Sequence, residues 1–215
     1  MTKVTHEPEG GMSDSAELRT KGWHRKVRCL VRFKSTSTCE EQEMAHNSLP
    51  HRDFAAIPVV CSASEEVVNE LVRHLAGPRE SADVVHLLST HAVAEAHRNP
   101  EFLDSLQKSD WVIPDGRWLQ ILTKNSACPL QQLRGQDLFL RVMQMGQPQG
   151  IRHYFLLAQG ALLNDLRESP ALRATRADLV GGEEFPYGPL GPAMKKALIK
   201  RVKDSKADVV WFGIS

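Results

Sequence analysis

The chain has 215 residues, is 41% hydrophobic and 25% charged, and carries a net charge of +1. That length buries a full core, and the near-neutral charge gives no strong pull toward nucleic acid or acidic lipid. No run of about 18 apolar residues is present and the N-terminus lacks an apolar secretory core, so neither a transmembrane helix nor a signal peptide is expected.

Residues 1–52 differ from the rest. They are polar, rich in Ser, Glu, Gly and Thr, and read as a disordered or weakly structured leader. Within it Val27 to Phe33 can form a short strand, and Arg25, Lys26, Arg28, Arg32 and Lys34 offer a weak anionic-surface anchor. The expectation is that this leader is dispensable for folding. A single domain then runs over 53–215.

Ala56 to Val60 reads as a strand at an edge, because Pro58 cannot donate to a ladder. Ser62 and Glu65 suggest a capping box. Val67, Val68, Leu71, Val72 and Leu75 follow at helical spacing until Gly77-Pro78. Val84 to Leu88 is a near-continuous apolar run, the mark of a strand buried on both faces. Ser89-Thr90-His91 stands at its end, followed by a helix over 92–98. Asn99-Pro100 caps and starts another.

Trp111 to Ile113 is the next buried strand. Pro114 stops it, and Asp115-Gly116 turns the chain, with Gly116 expected to use its freedom at positive φ. A helix restarts at Arg117. After an irregular loop, Leu133-Arg134-Gly135-Gln136-Asp137-Leu138 opens a helix that ends at Gly146. His153 to Leu157 is a strand and 160–168 a helix. Ala177 to Val180 is a strand ended by a Gly181-Gly182 turn. Ala193 to Ser205 is an amphipathic helix, and Ala207 to Gly213 the last strand. The chain then stops at Ser215 with no covering helix, which reads as a C-terminally incomplete domain, at best weakly active and prone to associate.

Alternating strands and helices predict an α/β fold: a Rossmann-like, mostly parallel sheet with helices on both faces. Ligands bind at the carboxyl edge of such sheets. Ser89, Thr90, Asp115 and Gly116 fall there, with Arg134 and Gly135 nearby. Asp115 can act as general base, or be a turn residue or helix cap. Arg134 can hold a phosphate through its planar fork, or simply pair with Asp137. Helix N-termini after Asp115 and at Gly135 favour anions. A base beside a diphosphate site suits transfer from a nucleotide-activated donor.

Other chemistries lack their residues. There is no G-x-G-x-x-G, Walker loop, G-x-S-x-G elbow or Asp-x-Asp pair, so an NAD-type dehydrogenase has little support. The nine histidines show no metal spacing, so no metal and no cofactor are expected. Cys29, Cys39, Cys61 and Cys128 are scattered, which argues for unpaired thiols and a reducing compartment.

Several blocks, in order and spacing, resemble the WecG/TagA/CpsF family of bacterial glycosyltransferases over about residues 55–215. They are Leu88-Ser89, Arg98-Asn99-Pro100-Glu101-Phe102, Ser109-Asp110 with Pro114-Asp115-Gly116, Leu133 to Leu138, Arg152 to Phe155, Val180-Gly181 and Ala207 to Gly213. The resemblance implies an inverting, metal-independent transfer of an N-acetylmannosamine-type or related hexose. The donor is a UDP-sugar and the acceptor is polyprenyl-diphosphate-linked, in cell-surface polysaccharide biosynthesis. It puts the catalytic base on Asp115 and a conserved arginine on Arg134, and Ser89, Thr90, Gly116 and Gly135, by their place at the sheet edge, are expected to line the substrate. It also implies a cytoplasmic enzyme in peripheral contact with the inner membrane face, with room for a homo-oligomer. Three features depart from the family. His86 and Leu88 stand where Thr-x-Asn is usual, Leu157-Ala158-Gln159-Gly160 replaces a Gly-rich turn, and a Gly-x-Pro-Lys-Gln-Glu block expected near Gly213 is missing. The alternative is a non-catalytic or degenerate nucleotide-sugar-binding remnant.

Overall fold

The structure is a computed structural model that describes residues 29–31, 49–78, 82–185 and 188–213. Its centre is a six-stranded sheet in the order β5-β4-β1-β8-β6-β7. These strands are β1 (Cys29–Val31), β4 (Val84–Leu88), β5 (Trp111–Pro114), β6 (Arg152–Leu157), β7 (Asp178–Glu184) and β8 (Val209–Gly213). β4 and β5 are parallel, as are β6 with β7 and β6 with β8. β1 runs antiparallel to both of its neighbours. Five strands therefore share one direction, and their carboxyl ends form a common edge.

The sheet is covered on both faces, and the pleat shows how. Trp111, Ile113, Phe155, Val209 and Trp211 join the cluster under α1 (Ser64–Ala76), α5 (Gly135–Gly146), α6 (Ala161–Glu168) and α7 (Pro170–Thr175). Their neighbours in sequence point the other way. Val112 packs with α2 (Thr90–Arg98), α3 (Pro100–Gln107) and α4 (Arg117–Thr123). Tyr154, Leu156 and Val210 pack under α8 (Pro192–Asp204). Period-two alternation with both faces apolar is why these strands read as continuous hydrophobic runs.

Several sequence expectations are corrected. The short strand expected within Val27 to Phe33 is present as Cys29–Val31, but as an inner strand of the sheet in a stretch otherwise read as a leader, and residues 1–28 and 32–48 lie outside the described residues. β2 (His51–Phe54) pairs antiparallel with β3 (Ile57–Val60) as a separate hairpin. The capping box is absent. α1 begins at Ser64 without a side-chain cap, and the Ser64 hydroxyl donates to the Gln132 carbonyl at 3.1 Å. β7 runs straight through Gly181-Gly182 instead of turning there. A β-carbon on Gly181 would lie 2.6 Å from the Tyr154 ring, and one on Gly182 would lie 2.8 Å from Leu163. Close packing, not a turn, requires these glycines.

The thiol expectation fails at two positions, since Cys61 and Cys128 form a disulfide. Cys61 follows β3 and Cys128 lies in the loop after α4. Sequence separation of 67 hides a Cα–Cα distance of 6.0 Å, which suits a disulfide. Arg52 on β2 ties down the same loop through Ser126 and the Cys128 carbonyl. The argument from unpaired thiols to a reducing compartment therefore falls.

Candidate active site

The site forms where β4 and β5 end. The Asp115 N–H donates to the Leu88 carbonyl at 2.8 Å, extending the ladder by one residue past Pro114. The Leu133 N–H donates to the Pro114 carbonyl at 2.8 Å and brings in the chain that starts α5. Asp115 then caps that helix from outside, its Oδ1 accepting from the Gly135 N–H at 3.1 Å. A carboxylate there complements the positive end of a helix of 12 residues.

Gly116 completes the juncture, but not by positive φ. Its φ is −90°, open to any residue. It lies against the start of α2, where a β-carbon would stand 3.5 Å from the Ser89 Cα and the Thr90 N, an ordinary van der Waals contact. Ser89 is the N-cap of α2, its hydroxyl accepting from the Ala92 N–H at 3.3 Å. Ser89, Thr90, Asp115, Gly116 and Gly135 are thus gathered at the carboxyl edge.

Arg134 stands beside them but faces Asp137. Its Nε and Nη2 donate to the two carboxylate oxygens at 2.7 and 3.2 Å. The hydrogen bond and charge of Asp137 raise the Arg134 pKa, with a smaller contribution from the charge of Asp115. Arg134 is exposed, so this pair is open to exchange with an arriving anion.

Sequence reasoning missed Gln132. Its Nε2 donates to the Asp115 carbonyl at 2.8 Å, while its own carbonyl accepts from Ser64. It clamps the turn that carries Asp115. The signal was weak: a polar residue three positions before a helix-opening glycine, across a loop with no periodicity.

Two further features frame the site. At the far half of the edge, the Glu184 carboxylate accepts from the Gly160 N–H at 3.1 Å, at the start of α6. Beyond Thr90, an open apolar groove of about 430 Å³ runs between α2, α4 and the turn of the β2–β3 hairpin. Among the described residues, no group of three or more His, Cys, Asp or Glu side chains gathers as a metal site would require.

A comparison with protein-family models matches residues 52–215 to the glycosyl transferase WecG/TagA/CpsF family. The chain belongs to the WecG/TagA/CpsF family. The match covers most of the chain, including every site residue named above and both edges of the sheet. No curated protein matches the chain. Membership of the WecG/TagA/CpsF family implies a glycosyltransferase of polysaccharide biosynthesis that works on a nucleotide-sugar donor and a lipid-linked acceptor in general terms. No helix among the described residues is long and apolar enough to cross a membrane.

Proposed function

We propose that this chain transfers a hexose of the N-acetylmannosamine type from a UDP-sugar to a polyprenyl-diphosphate-linked acceptor, with inversion and without a metal. The observation that carries the reading is Asp115, a carboxylate at the carboxyl edge of the sheet, oriented by the Gly135 N–H and backed by Gln132. In the proposed step an acceptor hydroxyl oxygen attacks the anomeric carbon. Asp115 takes the hydroxyl proton as the new C–O bond forms. The bond from the anomeric carbon to the β-phosphate oxygen breaks, and UDP leaves with the electron pair. Arg134, turning from Asp137, and the N-terminus of α5 meet the charge on the leaving diphosphate. Ser89, Thr90 and Gly116 line the substrate. The location proposed is the cytoplasmic face of the inner membrane, held peripherally.

A second reading has its own support. Asp115 already caps α5, Arg134 already pairs with Asp137, and Glu184 already sits at the start of α6. Those structural uses suit a chain that binds a nucleotide sugar without turnover. Incubating the protein with UDP-sugar, with and without a lipid-diphosphate acceptor, separates the two. UDP release that requires the acceptor supports transfer, and UDP-sugar binding without release supports the remnant.

A further inference from the structure

α4 has seven residues and is apolar on two sides. Leu119 and Thr123, four apart, are buried and hold it to the core. Trp118, Ile121 and Leu122 share the opposite face, at spacings of three and four. They are 64%, 38% and 67% exposed. A helix needs one apolar face to pack, and among the described residues the second is left largely exposed. Such a patch signals a partner.

The patch continues into the groove. Leu122 and Leu119 line it together with Phe54, Val93, Ala94 and Thr90. Thr90 opens α2 directly beside Gly116, so the apolar surface leads from α4 toward Asp115.

The charged lining of the groove itself is basic. The remaining polar lining is His97 and Arg98, and no carboxylate lines the groove. Arg117 and Lys124 bracket α4, both exposed, with no acid between them. The nearby Asp53 carboxylate accepts from the Ala56 N–H. An aromatic and aliphatic face ringed by cations matches an anionic bilayer surface. A copy of the same chain fits it less well, because a symmetric pairing would bring the same cations together and interface cores are depleted of charge.

We propose that α4 and the adjoining groove dock on an anionic lipid bilayer. Trp118 and Leu122 enter the interfacial layer, and Arg98, Arg117 and Lys124 lie among the headgroups. The proposal rests on the transfer reading only in its purpose, which is to bring Asp115 to the surface where a lipid-linked acceptor lies.

The test uses the full 215-residue chain. Its binding is measured by sedimentation with vesicles of phosphatidylcholine alone, or of phosphatidylcholine and phosphatidylglycerol in equal parts. Quenching of tryptophan fluorescence by lipids brominated in their acyl chains reports insertion. Trp111 and Trp211 are buried and shielded from that quencher, and the quenching is read in a Trp23→Phe background so that Trp118 is the indole left to report. The expected result is salt-sensitive binding to the mixed vesicles only, with quenching that Trp118→Ser removes. Trp118→Ser and Leu122→Ser should each weaken partitioning about tenfold, whereas Met194→Ser on α8 should leave it unchanged. Absence of binding to mixed vesicles, or equal binding by both serine variants, overturns the proposal. So does a wild-type dimer that ignores vesicles and becomes monomeric in Trp118→Ser. Vesicle binding without acceptor-dependent UDP release sustains the docking surface and counts against transfer. UDP release with a water-soluble acceptor and no vesicle binding does the reverse.

Discussion

His153 shows how a single side chain links folding to pH. It is fully buried on β6, and the Trp211 indole N–H donates to its Nδ1 at 3.1 Å. That bond requires an unprotonated Nδ1. Burial pushes the His153 pKa down from 6.5 to about 4, against a weaker pull upward from Asp208. The folded state therefore keeps a neutral ring while the unfolded chain takes up a proton below pH 6.5. Stability should be full above pH 6.5 and fall as pH drops toward about 4. The loss is on the order of 3 kcal/mol if the whole shift is expressed. Thermal melts across that range check it. His153→Phe should lower the midpoint at neutral pH, because Trp211 loses its acceptor, and should flatten the slope. An unchanged slope would mean other groups set it. Arg134 makes the opposite case, an exposed residue whose pair with Asp137 is worth about 0–1 kcal/mol to the fold. Arg134→Ala should hardly move the melting temperature yet raise the donor KM roughly tenfold or more if it meets phosphate. An unchanged KM in UDP-release titrations would leave Arg134 as a partner of Asp137 alone.

The elements show what the sequence could and could not convey. β4, β5, β6 and β8 were legible because strands buried on both faces are apolar at most positions. α3 was legible because the Asn99 carboxamide oxygen caps it, accepting from the Glu101 and Phe102 N–H groups. Asp115 stood out because Pro114 ends a strand where a helix follows. Local signals carried all of these. Gln132, the Gly181 contact with Tyr154 and the Cys61–Cys128 bridge depend on segments distant in sequence, and no local pattern announces them. The bridge carries its own prediction. It closes a loop of 67 residues and fastens the hairpin to the loop that delivers Gln132 and Arg134. Chain entropy assigns such a closure about 4 kcal/mol. Reducing agent should lower the melting temperature by roughly 8–16 °C, and the Cys61→Ser, Cys128→Ser double variant should show the lower value with or without reductant. Identical melts of oxidised and reduced wild type would contradict the bridge.

At the scale of the molecule, the sheet is two parallel halves joined by one short strand. β5-β4 lies on one side and β8-β6-β7 on the other, and Cys29–Val31 bonds to both β4 and β8. Removing residues 1–48 should expose two strand edges and cost roughly 3–5 kcal/mol at about 1 kcal/mol per hydrogen bond. Limited proteolysis that trims to Phe54 and leaves the melting transition intact would instead show the segment to be dispensable. The two halves meet the loops of the carboxyl edge, where Asp115 stands at the centre of the proposed chemistry. Asp115→Asn keeps an oxygen for the Gly135 N–H but cannot take a proton. The deciding measurement is acceptor-dependent UDP release by wild type and Asp115→Asn, alongside UDP-sugar affinity for each. Wild type should release UDP, and the variant should lose about 10²- to 10⁴-fold of that rate at unchanged affinity. Equal release by the two proteins would contradict it.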